Sequence, residues 1–136
     1  MGDFEILDHT ADVGLLARAA TVIEVFETAT RGLADLAGIW RAGDGEEIII
    51  EVEARDHEGL LVDWLSEVLY LHDARNLALT SVVIDDLSST HIRGRVGTRS
   101  LTESDETSIG IKAVTYHQLA VRETSEGWRA TIFFDI

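Results

Sequence analysis

Apolar and polar positions alternate near both ends of the chain, and between the ends two blocks of apolar residues recur at helical spacing. Phe4 to Ile6 and Val13 to Ala19 suit short strands, with Asp8-His9-Thr10-Ala11-Asp12 as the connection between them. Thr21 followed by Glu24 reads as a capping box. Behind it, Val22, Val25, Phe26, Ala29, Leu33 and Leu36 predict a helix to about Leu36 that ends near Gly38. The turn material Gly43-Asp44-Gly45 precedes a strand through Ile48, Ile49, Ile50 and Val52. Asp56 can cap a second helix, whose Leu60, Leu61, Trp64, Leu65, Val68, Leu69 and Leu71 make one wide apolar face suited to a sheet.

Further strands are expected around Leu79–Asp85, His91–Val96 and Ile111–Thr115. The polar run from Thr102 to Ser108 between the last two is the best candidate for a mobile loop. Leu119–Glu123 and Trp128–Phe134 flank Thr124-Ser125-Glu126-Gly127 at hairpin spacing. The order predicts an α+β fold, an antiparallel or mixed sheet packed with two main helices. It predicts a single domain over residues 1–136, and also allows one small α/β unit inserted in another.

Composition narrows the partners. A chain of about 150 residues can bury roughly 68–70% of its unfolded surface, so 136 residues that are 46% hydrophobic can build their own core. The formal charge of −14 opposes any general attraction to phosphates, so direct nucleic-acid binding is not expected. The acid excess reads as a hydrated, self-repelling surface. No cysteine is present, which removes disulfides and thiolate chemistry. The acidic first twenty residues do not resemble a secretory signal, and no apolar run reaches the ~20 residues of a membrane span. A soluble cytoplasmic protein is predicted, with no membrane partner.

Candidate chemistry gathers at three places. Asp8, His9 and Asp12 supply two carboxylates and an imidazole within one connection, and Asp135 lies one residue from the carboxylate of Ile136. Hard cations such as Ca²⁺ take about 6–8 oxygen ligands, so the two ends could share a site if the terminal strands pair centrally. Equally, Asp8 and Asp12 could close turns on backbone amides. Lys112, the only lysine, lies in a strand pattern in Ile111-Lys112-Ala113-Val114-Thr115-Tyr116-His117. It suits orienting a carboxylate or meeting a phosphate, or lying along the surface as an ordinary lysine. His117 and His9 are too far apart in sequence to make a transition-metal argument, and His57, His72 and His91 read as ordinary surface or helix residues. No Gly-x-Ser-x-Gly, P-loop or dinucleotide glycine pattern occurs, so catalysis by the chain itself is the second choice.

Four segments in order resemble the archease family: Asp8-His9-Thr10-Ala11-Asp12-Val13-Gly14, the run from Glu58 to Tyr70, the run from Ile111 to His117, and the terminal Phe134-Asp135-Ile136. The resemblance spans essentially the whole chain. It implies a non-catalytic protein cofactor of the GTP-dependent tRNA-splicing RNA ligase, which joins 3′-phosphate or 2′,3′-cyclic phosphate ends to 5′-hydroxyls. Such a cofactor promotes guanylylation and multiple turnover of the ligase. A chaperone-like role for RNA-modifying enzymes is also attached to the family. Carried over residue by residue, the resemblance makes Asp12, Asp135 and Ile136 metal ligands, with Ca²⁺ or another divalent cation, and makes Lys112 a functional residue. Asp8, His9 and His117 are expected around these ligands rather than among them. The competing expectation is a stand-alone metal-dependent hydrolase using Asp8, His9 and Asp12.

Overall fold

The computed structural model describes residues 2–8, 12–102 and 110–136, with Asp8 placed by its backbone. Strands β1 (Asp3–Asp8) and β2 (Asp12–Ala19) open the chain, and helix α1 (Val22–Ala37) follows. Then come β3 (Glu47–Glu53), helix α2 (His57–Arg75), β4 (Leu77–Leu87), β5 (His91–Ser100), β6 (Ala113–Thr124) and β7 (Gly127–Asp135). All strand pairs are antiparallel and form two sheets, of order β1-β2-β7-β6 and β3-β5-β4. The fold is α+β, with the second sheet built entirely from the stretch between α1 and β6.

Local chemistry sets the helix ends. The Thr21 hydroxyl accepts the Glu24 amide at 3.1 Å, and Gly38 ends α1 with a left-handed φ of 72° that glycine adopts without a steric penalty. The Asp56 carboxylate accepts the Gly59 amide at 2.8 Å, and Asn76 ends α2 in the same left-handed region. The helices meet through a buried chain: Trp64 Nε1–H donates to Thr30 Oγ1 at 2.9 Å, and the Thr30 hydroxyl donates to the Phe26 carbonyl at 2.7 Å. One apolar cluster runs through both sheets and both helices, from Leu15, Ile132 and Phe134 to Leu60, Leu79 and Ile92.

The structure departs from the sequence reading in β6. Ile111–Thr115 and Leu119–Glu123 are not two strands, because the single strand Ala113–Thr124 covers the end of the first and all of the second. Between the pairs Thr115↔Phe133 and Ala120↔Thr131, Tyr116, His117, Gln118 and Leu119 stand opposite Ile132 alone. This bulge takes up the extra residues, and Gln118 adopts φ 51° to do so. The segment from Glu103 to Ser108 of the predicted loop lies outside the described residues. No described helix is long and apolar enough to cross a membrane.

Candidate functional site

The C-terminal strand β7 sits inside its sheet, between β2 and β6. Asp12 is the direct partner of Asp135 in the β2–β7 register, and Asp135 also pairs with Ala113. Directly opposed residues on antiparallel strands share a face, with Cβ atoms about 4.5–5.5 Å apart. The adjacent pair, Val13 and Phe134, points into the core at 3% and 0% exposure, so the two aspartates lie on the opposite face of the sheet, where Asp135 is exposed and Asp12 is half-buried with its Oδ1 out of contact with solvent. The Lys112 amide donates to the Asp135 carbonyl at 2.8 Å, which anchors the lysine beside the same strand end. Lys112 itself is exposed and lies one residue before β6, a small correction to its predicted strand position.

Three sequence-separated places thus converge on one end of one sheet: Asp12 from the first connection, Lys112 from the interior segment, and Asp135 with Ile136 from the C-terminus. Asp8 is placed only as the β1 partner of Val13, and His9 lies outside the described residues.

A shoulder of apolar groups lies beside the carboxylates on the same outer face. Gly14 is the partner of Phe133, and a Cβ at Gly14 would come within 2.7 Å of the Phe133 ring. Glycine is therefore required there by close approach. His117, turned by the bulge, meets Phe133 edge-on with 5.5 Å between ring centroids. Its amide donates to Thr115 Oγ1 at 3.2 Å. The predicted neighbour His117 thus packs on Phe133, which shares a face of the sheet with the carboxylates two residue pairs along from Asp135.

The donor set suits a hard cation: two side-chain carboxylates and the terminal carboxylate next to one of them. Two like charges directly opposite one another destabilise a strand pair unless a counter-charge lies nearby. Among the described residues, no group of three His, Cys, Asp or Glu side chains gathers in metal-ligating geometry.

One electrostatic cluster escaped the sequence reading. His91 is not an ordinary surface histidine: it lies on the central strand of the second sheet, with Nε2 at 2.5 Å from Glu51 of β3 and Nδ1 at 3.4 Å from Asp86 of β4. The hydrogen bond to Glu51 raises its pKa from the ordinary 6.5, with both carboxylates adding to the effect against some loss of hydration. Beside it Arg95 grips Asp85 through two bonds of 2.9 and 3.0 Å, which holds that carboxyl below its usual range. His57 opens α2 as a helix residue, and its ring packs edge-on against both Phe26 and Trp128. A cavity of about 550 Å³ at the far end of the first sheet, lined by Phe4, Arg31 and Trp40 among others, holds none of the predicted site residues.

Two helices on a pair of antiparallel sheets, with Asp12 opposite Asp135 across the central strands of one sheet, define an α+β class. The pattern of the Archease protein family (MTH1598/TM1083) matches residues 4–136, and the chain belongs to that family. Protein archease of Methanosarcina mazei is 34% identical over 98% of this chain and 95% of its own length. Protein archease of Pyrococcus furiosus is 34% identical over the full length of both. The solution structure of Methanobacterium thermoautotrophicum protein 1598 is similar with a TM-score of 0.77 and 29% identity, covering 98% of each chain. The crystal structure of an archease, possible chaperone, from Thermotoga maritima shares the fold at a TM-score of 0.65 and 21% identity, over 97% of this chain and 96% of that one.

Proposed function

We propose that this chain is a non-catalytic cofactor of the GTP-dependent tRNA-splicing RNA ligase, promoting guanylylation of the ligase and its multiple turnover. The observation that carries the reading is the direct opposition of Asp12 and Asp135, with Lys112 tethered to Asp135 through its amide. Membership of the archease family supports the same role. Asp12, Asp135 and the Ile136 carboxylate would hold Ca²⁺ or another divalent cation, whose charge would neutralise the opposed carboxylates and attract phosphate oxygens. Lys112 adds a strongly hydrated point charge, suited to a phosphate of the nucleotide at the ligase. The exposed Asp135 and Lys112 let this end of the sheet meet a partner's active site, with His117 packed beside them over the buried Phe133.

The experiment is multiple-turnover ligation by the ligase of the same organism, with RNA in excess over enzyme and GTP and Mn²⁺ present. Addition of this protein is expected to raise product from roughly one turnover to many and to hasten formation of guanylylated ligase. An unchanged turnover number would contradict the reading. Hydrolysis of a phosphoester by this protein alone with added metal would instead indicate an enzyme built on Asp8, His9 and Asp12.

A further inference from the structure

The chain has two tyrosines, and both are more than half exposed: Tyr116 at 67% and Tyr70 at 59%. Neither belongs to the carboxylate site, and neither contributes to the core. Tyr116 is the first residue of the β6 bulge, so the irregularity that turns His117 onto Phe133 also carries the tyrosine out of the regular strand. It borders a groove of about 650 Å³ whose other walls come from the start of α2: Ala54, Arg55, Asp56, Gly59 and Asp63. Asp63, Glu67 and Tyr70 follow at i, i+4 and i+7 and share one face of the helix, with Tyr70 about 10 Å along the axis from Asp63.

The acids along this surface are unmatched and lie beside exposed tyrosine rings. On the second sheet four acids are matched, Asp85 and Glu47 on Arg95 and Glu51 and Asp86 on His91. Among the described residues, Asp63 and Glu67 have no ion-pair partner, and Asp56 is occupied as the α2 cap. Arg55 is the one cation on the groove, facing two lining carboxylates, with a third at Glu67 further along. An exposed tyrosine ring next to unmatched carboxylates is the arrangement that receives an arginine or lysine, whose stem lies on the ring while its charge meets the acid. Tyrosine and arginine are also the residue types that dominate binding energy at protein interfaces.

We infer that the strip from Tyr116 across Asp63 and Glu67 to Tyr70 is where the ligase docks, through a basic segment of the ligase that lays an arginine or lysine against Tyr116. This inference rests on the cofactor reading and deepens it: the strip supplies affinity, while the adjoining Asp12, Asp135 and Lys112 act once docked. The bulge joins the two surfaces, because Tyr116 and His117 are consecutive and His117 faces the carboxylate side.

The test measures ligation rate against concentration of this protein. Tyr116→Ala is expected to raise the half-saturating concentration about tenfold, with the full rate recovered at saturation. Tyr116→Phe should stay near the wild type, since it keeps the ring. Asp63→Arg should weaken binding as much or more, and the wild-type half-saturation should rise with salt as expected for charge pairing. Tyr70→Ala provides a second variant outside the bulge and is expected to shift half-saturation in the same direction. Asp12→Asn should behave oppositely, lowering the maximal rate at unchanged half-saturation. If wild type activates but Tyr116→Ala, Tyr70→Ala and Asp63→Arg all keep its half-saturation, the docking strip is wrong and the cofactor reading stands. If wild type gives no activation, both fall.

Discussion

At the scale of single residues, the opposed pair Asp12 and Asp135 makes the most direct physical claim. Its mutual repulsion is worth about 0.2–1 kcal/mol, so Asp135→Asn should leave the metal-free protein as stable as the wild type or slightly more stable. Calcium at a hundredfold over Kd should stabilise the wild type by about 2.7 kcal/mol and the variant far less, as read from thermal melts with Ca²⁺ and with chelator. A wild-type Tm indifferent to divalent cations would remove the ligand assignment. His91 carries the second residue-scale prediction. Its folded pKa is raised, so its contribution to stability is complete below about pH 6.5 and is lost as pH rises through the higher folded value. The His91 ring resonances, followed by NMR, should titrate above 6.5, and Glu51→Gln should bring the midpoint back down; a midpoint at or below 6.5 in the wild type would contradict the arrangement. Asp12, Lys112 and Asp135 stand out in the sequence because their segments resemble a family. The role of His91 does not, because Glu51 and Asp86 reach it across two different strand pairings that no local spacing announces.

At the scale of elements, helix ends and faces were readable because their causes are local. The Thr21 and Asp56 caps and the Gly38 terminus fall where side-chain chemistry puts them. The β6 bulge was only partly readable: the polar pair His117-Gln118 interrupts the alternation, so the sequence breaks the strand there, but only the register with β7 shows that one strand continues through a bulge. The junction of α1 and α2 was equally hidden, since Thr30 and Trp64 are 34 residues apart. Thr30→Val keeps the side-chain shape but leaves the buried Trp64 N–H without its acceptor. A loss of about 1–3 kcal/mol is expected in denaturant unfolding, against near-neutrality for the double change with Trp64→Phe if that hydrogen bond is the whole effect.

For the whole molecule, the topology converts distance in sequence into proximity. Placing β7 between β2 and β6 brings Asp135 beside Asp12 and Lys112, so the condition of central terminal pairing on which the sequence offered a site is met. The net charge of −14 opposes a general attraction of the molecule to RNA phosphates, in keeping with the proposed role through a partner protein. The central claim is that Asp12, Asp135 and Lys112 act together on that partner. Its most direct measurement is multiple-turnover ligation with saturating Asp12→Ala, Asp135→Ala and Lys112→Ala proteins, each first shown by its melting curve to be folded. The account predicts that each variant returns the ligase to roughly one turnover; wild-type turnover from all three would show that this end of the sheet is structural and has no part in activation.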